Sequence, residues 1–382
     1  MGEPEGGSTS RTSSSRSIVS NNDDLMVNIL SRLPVKALLR FKCVSSQWNI
    51  LISDPYFVWA HLRQAPQDPN IMKLLWVTSD GLIRGFSVED KEERKVTLDL
   101  IRPKYPDGFL QNCNRVIMAG RPCNGMICLT NGRIILVCNP ATRDTLVIPR
   151  SNEREYNYLE GLGFCSSRNE FKVVSLYERS EGFGCELFTI GQRAIVGTHP
   201  LQPSRSWKHI GDFPYHISYP SDRNMCHVNS RVHWIIEPLT DSFYEYILCL
   251  DLELEEFKVV SCPSHWSLEV RYAKGVNLID LGGELCVVFH NRDAWDIWTL
   301  KDYTNSIWSK EYQIDGNIKQ YSSFDDFKVV GIWRRRLLLI VNNLTFCYYD
   351  PRNNTFEVIL EKHFGHLSWR VATYVENLVI PF

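Results

Sequence analysis

Tyr246-Ile247-Leu248-Cys249-Leu250-Asp251 is an apolar run closed by an acid, and six residues after Asp251 a second run opens with Phe257-Lys258-Val259-Val260. The figure returns twice. Trp295 to Leu300 leads to Asp302 and then Trp308, and Thr345 to Tyr349 leads to Asp350 and then Phe356-Glu357-Val358-Ile359. The residues between, such as Pro351-Arg352-Asn353-Asn354, are turn formers. A strand, an acid at the corner and an aromatic opening the return strand describe a β-hairpin, repeated at intervals of 51 and 48 residues.

Ahead of each hairpin lies another apolar strand: Val232 to Ile236, Leu285 to Phe289 and Leu337 to Val341. Weaker ones precede these at Met225 to Val228, Val276 to Ile279 and Phe327 to Val330. Four strands per unit of about fifty residues is the period of a propeller blade. Asn139-Pro140 with Leu146-Val147-Ile148 is an earlier copy, and a degenerate unit fits between Cys185 and Ile210, ending at Trp207. On that spacing residues 71–382 hold six or seven blades, and a C-terminal strand within Val371 to Ile380 is placed to seal the ring against the first. A β-sandwich or an irregular stack of sheets is the competing architecture.

Before residue 71 the pattern is helical. Residues 1–17 are small and polar without periodicity, a disordered tail by composition. Residues 18–62 form a compact helical unit, and 63–70, with Pro66 and Pro69, a linker. Asn21 and Asn22 are placed to cap a helix whose first turn carries Asp23 and Asp24, acids that favour the positive end of the helix dipole. Leu25, Ile29 and Leu33, flanked by Met26 and Leu30, give that helix a wide apolar stripe. Pro34 ends it and opens the next, whose face is Ala37, Leu38, Phe41 and Val44. Ser45 or Ser46 caps a third helix with Trp48, Leu51 and Ile52; Asp54-Pro55 starts a fourth with Phe57, Trp59 and Leu62. About forty residues is near the lower limit for a self-sufficient core. The surplus apolar surface must therefore meet either a partner or the chain's own β domain. The fold class is α+β multidomain: a small N-terminal helical unit followed by a mainly β, propeller-like domain at 71–382.

Composition narrows the function. Forty-two basic and forty-four acidic residues give a net charge of −2, which argues against global attraction to nucleic acid or an anionic membrane. No apolar run approaches the length of a membrane span, and the Gly-, Ser- and Arg-rich start has no signal core. The expectation is a chain inside the cell, in cytoplasm or nucleus. Its cysteines sit mostly within apolar runs (Cys128, Cys138, Cys249, Cys286, Cys347) and read as small buried hydrophobes. Their spacing lacks a C-x-x-C pair, so no metal and no cofactor is expected. Gly161-x-Gly163 and Gly182-x-Gly184 lack the third glycine of a phosphate cradle, and no nucleophile elbow or metalloprotease helix occurs. The expectation is a binding protein, with a propeller hydrolase as the remote alternative.

The stretch Leu25-Met26-Val27-Asn28-Ile29-Leu30-Ser31-Arg32-Leu33-Pro34-Val35-Lys36-Ala37-Leu38-Leu39-Arg40-Phe41-Lys42-Cys43-Val44-Ser45, continued through Trp48 and Leu51-Ile52-Ser53-Asp54-Pro55, resembles a plant-type F-box. The remainder, with Cys138-Asn139-Pro140-Ala141-Thr142 and Gly161-Leu162-Gly163-Phe164 before Phe171-Lys172-Val173-Val174, resembles the plant F-box-associated domain, often described as kelch-like. The resemblance implies docking onto a Skp-type adaptor, itself bound to a cullin that carries the ubiquitin-conjugating machinery. It implies that Leu25, Ile29, Leu30, Leu33, Pro34, Leu38, Leu39, Val44 and Trp48 serve that contact or the core beneath it. Asn21-Asn22 stand where the family usually has Leu-Pro. The β domain would capture a target protein for ubiquitination, with Tyr215, His216, Tyr219, Trp266 and Trp295 as candidate anchors in loop-like or edge positions. A non-ligase F-box scaffold is the alternative.

Overall fold

The structure, a computed structural model, describes residues 21–64, 71–78, 81–89, 95–107, 110, 116–151, 158–179, 182–191, 206–217, 225–237, 246–263, 276–291, 294–315, 327–341, 345–361 and 371–381. The expected tail at 1–17 lies outside them. Four helices come first: α1 (Asn21–Leu30), α2 (Val35–Phe41), α3 (Ser46–Ser53) and α4 (Pro55–Gln64). Asn21 and Asn22 are the first residues of α1 rather than a cap before it. Pro34 immediately precedes α2 in extended geometry. The Ser45 hydroxyl accepts from the Trp48 amide at 3.2 Å to cap α3, and the Asp54 carboxylate accepts from the Tyr56 amide at 2.7 Å to start α4.

Six antiparallel sheets follow. Blade 1 has β1 (Ile71–Val77), β2 (Ile83–Glu89) and β3 (Lys95–Ile101); blade 2 has β4 (Ile117–Met118), β5 (Ile127–Thr130), β6 (Ile135–Cys138) and β7 (Thr145–Ile148). Blade 3 has β8 (Tyr158–Cys165), β9 (Glu170–Arg179), β10 (Gly182–Ile190) and β11 (Lys208–Phe213). In blade 4, β12 (His216–Ile217) and β13 (Cys226–Val228) both pair with β14 (Arg231–Glu237), which leads to β15 (Tyr246–Asp251) and β16 (Glu256–Ser261). Blade 5 is β17 (Val276–Asp280), β18 (Leu285–Asn291), β19 (Ala294–Asp302) and β20 (Ile307–Asp315). Blade 6 is β21 (Phe327–Trp333), β22 (Arg336–Val341), β23 (Thr345–Asp350) and β24 (Thr355–Glu361). The last strand, β25 (Ala372–Tyr374), pairs with β1 and supplies blade 1 with its innermost strand. The ring is thus closed by a sheet built from both ends of the β domain.

The apolar runs are continuous because the middle strands are buried on both faces. In β22, Leu337, Leu339 and Val341 face blade 5 while Leu338 and Ile340 face blade 1. In β1, Leu74 and Trp76 pack toward blade 6, and Leu75 and Val77 toward blade 2. Six such layers, one between each pair of neighbouring blades, make up the core of the ring. The buried cysteines sit in these layers as free thiols; burial pushes Cys249, Cys286 and Cys347 up to about 12.

The repeated acid has one job. Asp251 accepts from the amides of Glu253 and Leu254, Asp302 from Thr304 and Asn305, and Asp350 from Arg352. Asn139 does the same for Ala141 and Thr142 in blade 2. Four residues after each, the chain takes a positive φ: Arg143 at 66°, Glu255 at 58°, Ser306 at 51° and Asn354 at 51°. The side chain stands in for a backbone turn and holds that conformation. The aromatics have a second recurring role: the Trp308 indole donates to the Ser261 carbonyl and the Trp207 indole to the Pro149 carbonyl, each at 2.7 Å, tying a blade's outer strand to its predecessor.

Asp251 is the most embedded of these acids and also pairs with Arg231 at 3.2 Å. Burial alone would raise its pKa, but the amides of Leu254 and Glu253 and the Arg231 guanidinium outweigh that and hold it below the usual carboxylate range. Asp251→Ala is expected to destabilise the ring by about 2 kcal/mol, more than Asp302→Ala at an exposed turn. Urea titration of the two variants checks the order.

Candidate functional site: the outward face of the helical unit

The four helices share a small core of Val27, Leu30, Val35, Leu38, Ile52 and Phe57. The His61 ring donates from Nε2 to the Leu33 carbonyl at 3.0 Å, and the Ser31 hydroxyl meets Gln64 at 3.0 Å, so α4 is tied to the bend between α1 and α2. Burial lowers the His61 pKa and favours the neutral ring that this bond uses. Phe41 and Trp48 meet edge to face at 4.9 Å and hold α3 against α2.

One side of this unit is committed to the ring. Trp59 stacks on Phe164 at 5.6 Å and shares a layer with Leu62, Met126, Phe171 and Val379. Leu378, 1% exposed, and Ala141 complete the helical core from outside it. The segment after β25 therefore runs between the two domains. It is pinned by the Asn139 side-chain amide, which donates to the Asn377 carbonyl, the Asn377 side-chain oxygen and the Val379 carbonyl at 2.7–3.1 Å. Asn377 in turn donates to the Asn124 carbonyl at 2.6 Å. Gly125 has φ +75°, and a Cβ there would run into the Val375 carbonyl and the Asn377 amide, so only glycine lets the segment lie this close.

Elsewhere on the unit several apolar side chains are left uncovered by the described residues. Leu25 is 63% exposed, Ile29 51% and Val44 68%, and Ile50 and Tyr56 also stand outside the core. Five of the twelve large exposed apolar side chains of the described residues thus fall within the helical unit, four on helices and Val44 between α2 and α3. That density on so short a segment marks a surface built to be covered. The structure divides the residues singled out from sequence. Leu25, Ile29, Pro34 and Val44 are exposed, Leu33, Leu39 and Trp48 are half-buried, and Leu30 and Leu38 lie inside the helical core. Ile50 and Tyr56 belong with the exposed set and were missed. Their signal was present in the sequence, since each lies off the apolar face of its own helix.

The ring has two unlike ends. At the end that carries the helical unit the strands are joined by tight turns, among them 166–169, 229–230, 252–255 and 334–335. At the other end each outer strand finishes and the next inner strand begins, at Ile101 and Ile117, Ser261 and Val276, Asp315 and Phe327, and Glu361 and Ala372. Among the candidate anchors, Tyr215 is half-buried against the layer between blades 3 and 4, and the His216 backbone opposes Glu237 in β12. Tyr219 and Trp266 lie outside the described residues. Trp295 corrects the sequence reading: it is 4% exposed in the layer between blades 5 and 6, because β19 is an inner strand covered on both faces.

Among the described residues no group of three or more His, Cys, Asp and Glu is placed to hold a metal ion. Cys123 Sγ lies 3.5 Å from His227 Nδ1, but burial raises the thiol pKa and pushes His227 down to about 4, so both remain neutral and act as packing. Gly161 and Gly163 belong to β8, where Met225, Leu252 and Val232 of blade 4 pack directly onto the strand. Among the described residues no helix is long and apolar enough to cross a membrane.

Known proteins agree with this geometry. Residues 23–65 match the F-box-like family, and residues 77–373 match the F-box-associated β-propeller domain. Three Arabidopsis thaliana proteins are similar along most of the chain. F-box protein At3g07870 is 24% identical, covering 91% of each chain. F-box protein CPR1 is 26% identical over 94% of this chain and 88% of its own. F-box protein At5g49610 is 28% identical over 75% and 77%. A family model that spans well over half the sequence, on a ring whose six blades are individually visible, means that this chain is a member of the F-box-associated β-propeller family, with an F-box-like unit at its N-terminus.

Proposed function

We propose that the chain is the substrate-receptor subunit of a Skp-cullin-F-box ubiquitin ligase, working in the cytoplasm or nucleus. The helical unit would dock a Skp-type adaptor and the ring would hold a target protein. The observation that carries this reading is the exposed set Leu25, Ile29, Val44, Ile50 and Tyr56 on a module that also packs Trp59 and Leu62 against the ring. Such a subunit performs no bond-making itself. It raises the effective concentration of target lysines beside a charged conjugating enzyme, turning a bimolecular transfer into a nearly intramolecular one. Fixing the helical unit on the turn end leaves the opposite end of the ring at a distance from it, which suits target capture on a rigid scaffold.

The test uses the full chain with a plant Skp-type adaptor in a binding titration. Leu25→Asp/Ile29→Lys removes two exposed anchors while the new acid and base, four residues apart on α1, form a pair that supports the helix. Affinity is expected to fall more than about 100-fold while the melting temperature stays put. Unchanged capture by the variant would place the contact elsewhere. Absence of capture by the wild type, with several adaptors, would leave a scaffold that works without the ligase.

A further inference from the structure

Helix α4 serves two cores at once. Phe57 lies in the core of the helical unit, while Trp59 and Leu62 lie in a layer of the ring. His61 stands between them on the same helix, 3% exposed, its ring stacked on Phe57 with centroids 6.4 Å apart. A carbonyl can only accept, so the contact of Nε2 with the Leu33 carbonyl at 3.0 Å fixes the proton on Nε2. The other nitrogen, Nδ1, is buried with no hydrogen-bond partner among the described residues. The site therefore has a place for one ring proton and none for a second.

The carbonyl that His61 holds sits at the corner between α1 and α2. Leu33 is followed by Pro34, whose backbone is extended at φ −58° and ψ 144° and has no N–H to offer. The corner's own backbone bonds are local: the Leu33 amide donates to the Leu30 carbonyl, and the amides of Ala37 and Leu38 both donate to the Pro34 carbonyl. The His61 bond spans 28 positions and fixes the corner to α4. Ser31 and Gln64 support the same tie one turn further along α4, through a half-buried side chain. Ile29 and Pro34, one turn before the corner and at it, are exposed, so a shift of the corner moves the uncovered apolar surface directly.

We infer that His61 is the positioning residue of the docking surface: its neutral ring sets the Leu33-Pro34 corner against α4, and docking is lost when the ring takes up a second proton. This role rests on the adaptor-docking reading and names what holds its surface in place. An imidazolium would bring an N–H at Nδ1 into a buried place without an acceptor, which leaves a donor stripped of water and unpaired. Burial disfavours the charged ring and lowers the His61 pKa. The bond to the Leu33 carbonyl and the Glu376 carboxylate, which acts on the ring from the segment after β25, pull the other way and are outweighed. Glu376 is itself paired with Lys73 at 2.5 Å. Since the folded pKa lies below the unfolded one, the tie is at full strength above the ordinary histidine range and is lost as pH falls through the depressed value.

The test sets two variants of the full chain beside the wild type in titrations with a plant Skp-type adaptor. His61→Gln keeps a neutral donor for the Leu33 carbonyl, and His61→Phe keeps a ring but removes the donor. At pH 7 the Gln variant is expected to bind within about threefold of the wild type, and the Phe variant at least about tenfold more weakly. Below the midpoint of the His61 ring, read by NMR, wild-type affinity should fall about tenfold per pH unit relative to the Gln variant with the same adaptor. Equal binding by the Phe variant and the wild type overturns the inference, as does a pH profile shared by the wild type and the Gln variant. Should the wild type capture no adaptor, the docking reading falls by itself, and hydrogen exchange at the Leu33 and Ala37 amides decides the role of His61. Faster exchange in the Phe variant alone sustains it, and unchanged exchange overturns it.

Discussion

Cutting the chain after Tyr374 is expected to unfold the helical unit and leave the six-bladed ring closed. The cut spares β25, whose residues Ala372, Thr373 and Tyr374 face Leu75, Leu74 and Lys73 of β1. It removes Leu378, which is 1% exposed inside the helical core, and Val379, which lies against Trp59 and Leu62. Loss of a buried leucine side chain alone costs about 2–5 kcal/mol, and a unit this small has little stability in reserve. The expected result is a lower, separate melting step for the helices, rapid proteolysis within 21–64 and loss of adaptor capture. Gly125→Ala should give the same pattern without shortening the chain, because the new Cβ and the segment at Val375 and Asn377 compete for one space. A single melting transition at the wild-type temperature for both variants would show that the helices stand alone.

The second large effect concerns Lys172, on β9 and 1% exposed at its side chain. Its ammonium donates to the Leu252 carbonyl at 2.8 Å and to Glu255 at 2.6 Å, reaching from blade 3 into the last turn of blade 4. Glu255 also meets Lys208. Burial would raise the Glu255 pKa, but the hydrogen bonds and charges of Lys172 and Lys208 outweigh it and hold the carboxyl below its ordinary range. Lys172→Ala leaves a buried carbonyl and a half-paired carboxylate with a void beside them, and is expected to cost about 3–5 kcal/mol. For a domain of this size that is a fall of very roughly 10 °C in melting temperature. The pH dependence has a definite sign. Since the folded pKa of Glu255 lies below its unfolded value, the tie contributes fully above the ordinary carboxylate range and is lost as pH falls through the depressed value. The wild type should therefore lose stability on acidification more steeply than the variant, and melting curves from pH 7 down to 3 would show whether it does.

Local chemistry was legible in the sequence, and long-range contacts were not. Asp251, Asp302 and Asp350 announced their hairpins because the turn is made by a side chain and its own neighbours. The blade number stayed between six and seven for two reasons. Blade 3 carries Trp207 but no such acid in its outer hairpin, where 191–207 separates its last two strands. Blade 1 is split between Ile71–Ile101 and Ala372–Tyr374. In the helices, periodicity found the apolar stripe but not which neighbour turns inward: Ile29 is half exposed and Leu30 is 3% exposed, one residue apart. Trp295 looked like an edge and proved to be interior, since strand patterning cannot tell a covered second face from a free one. The Asn139–Asn377 tie spans 238 positions and leaves no local trace at either end.

That tie also sets an order of events during synthesis. Domains ordinarily fold from the N-terminus as the ribosome delivers them. Here the first module made depends on Leu378, and the first blade on Ala372 to Tyr374, both of which emerge after every other blade. A nascent chain that stalls anywhere in blades 2 to 6 holds an open ring and an incomplete helical core. It holds no finished helical unit, so the surface that carries Leu25 and Ile29 takes its final form only once the residues after β25 have been made.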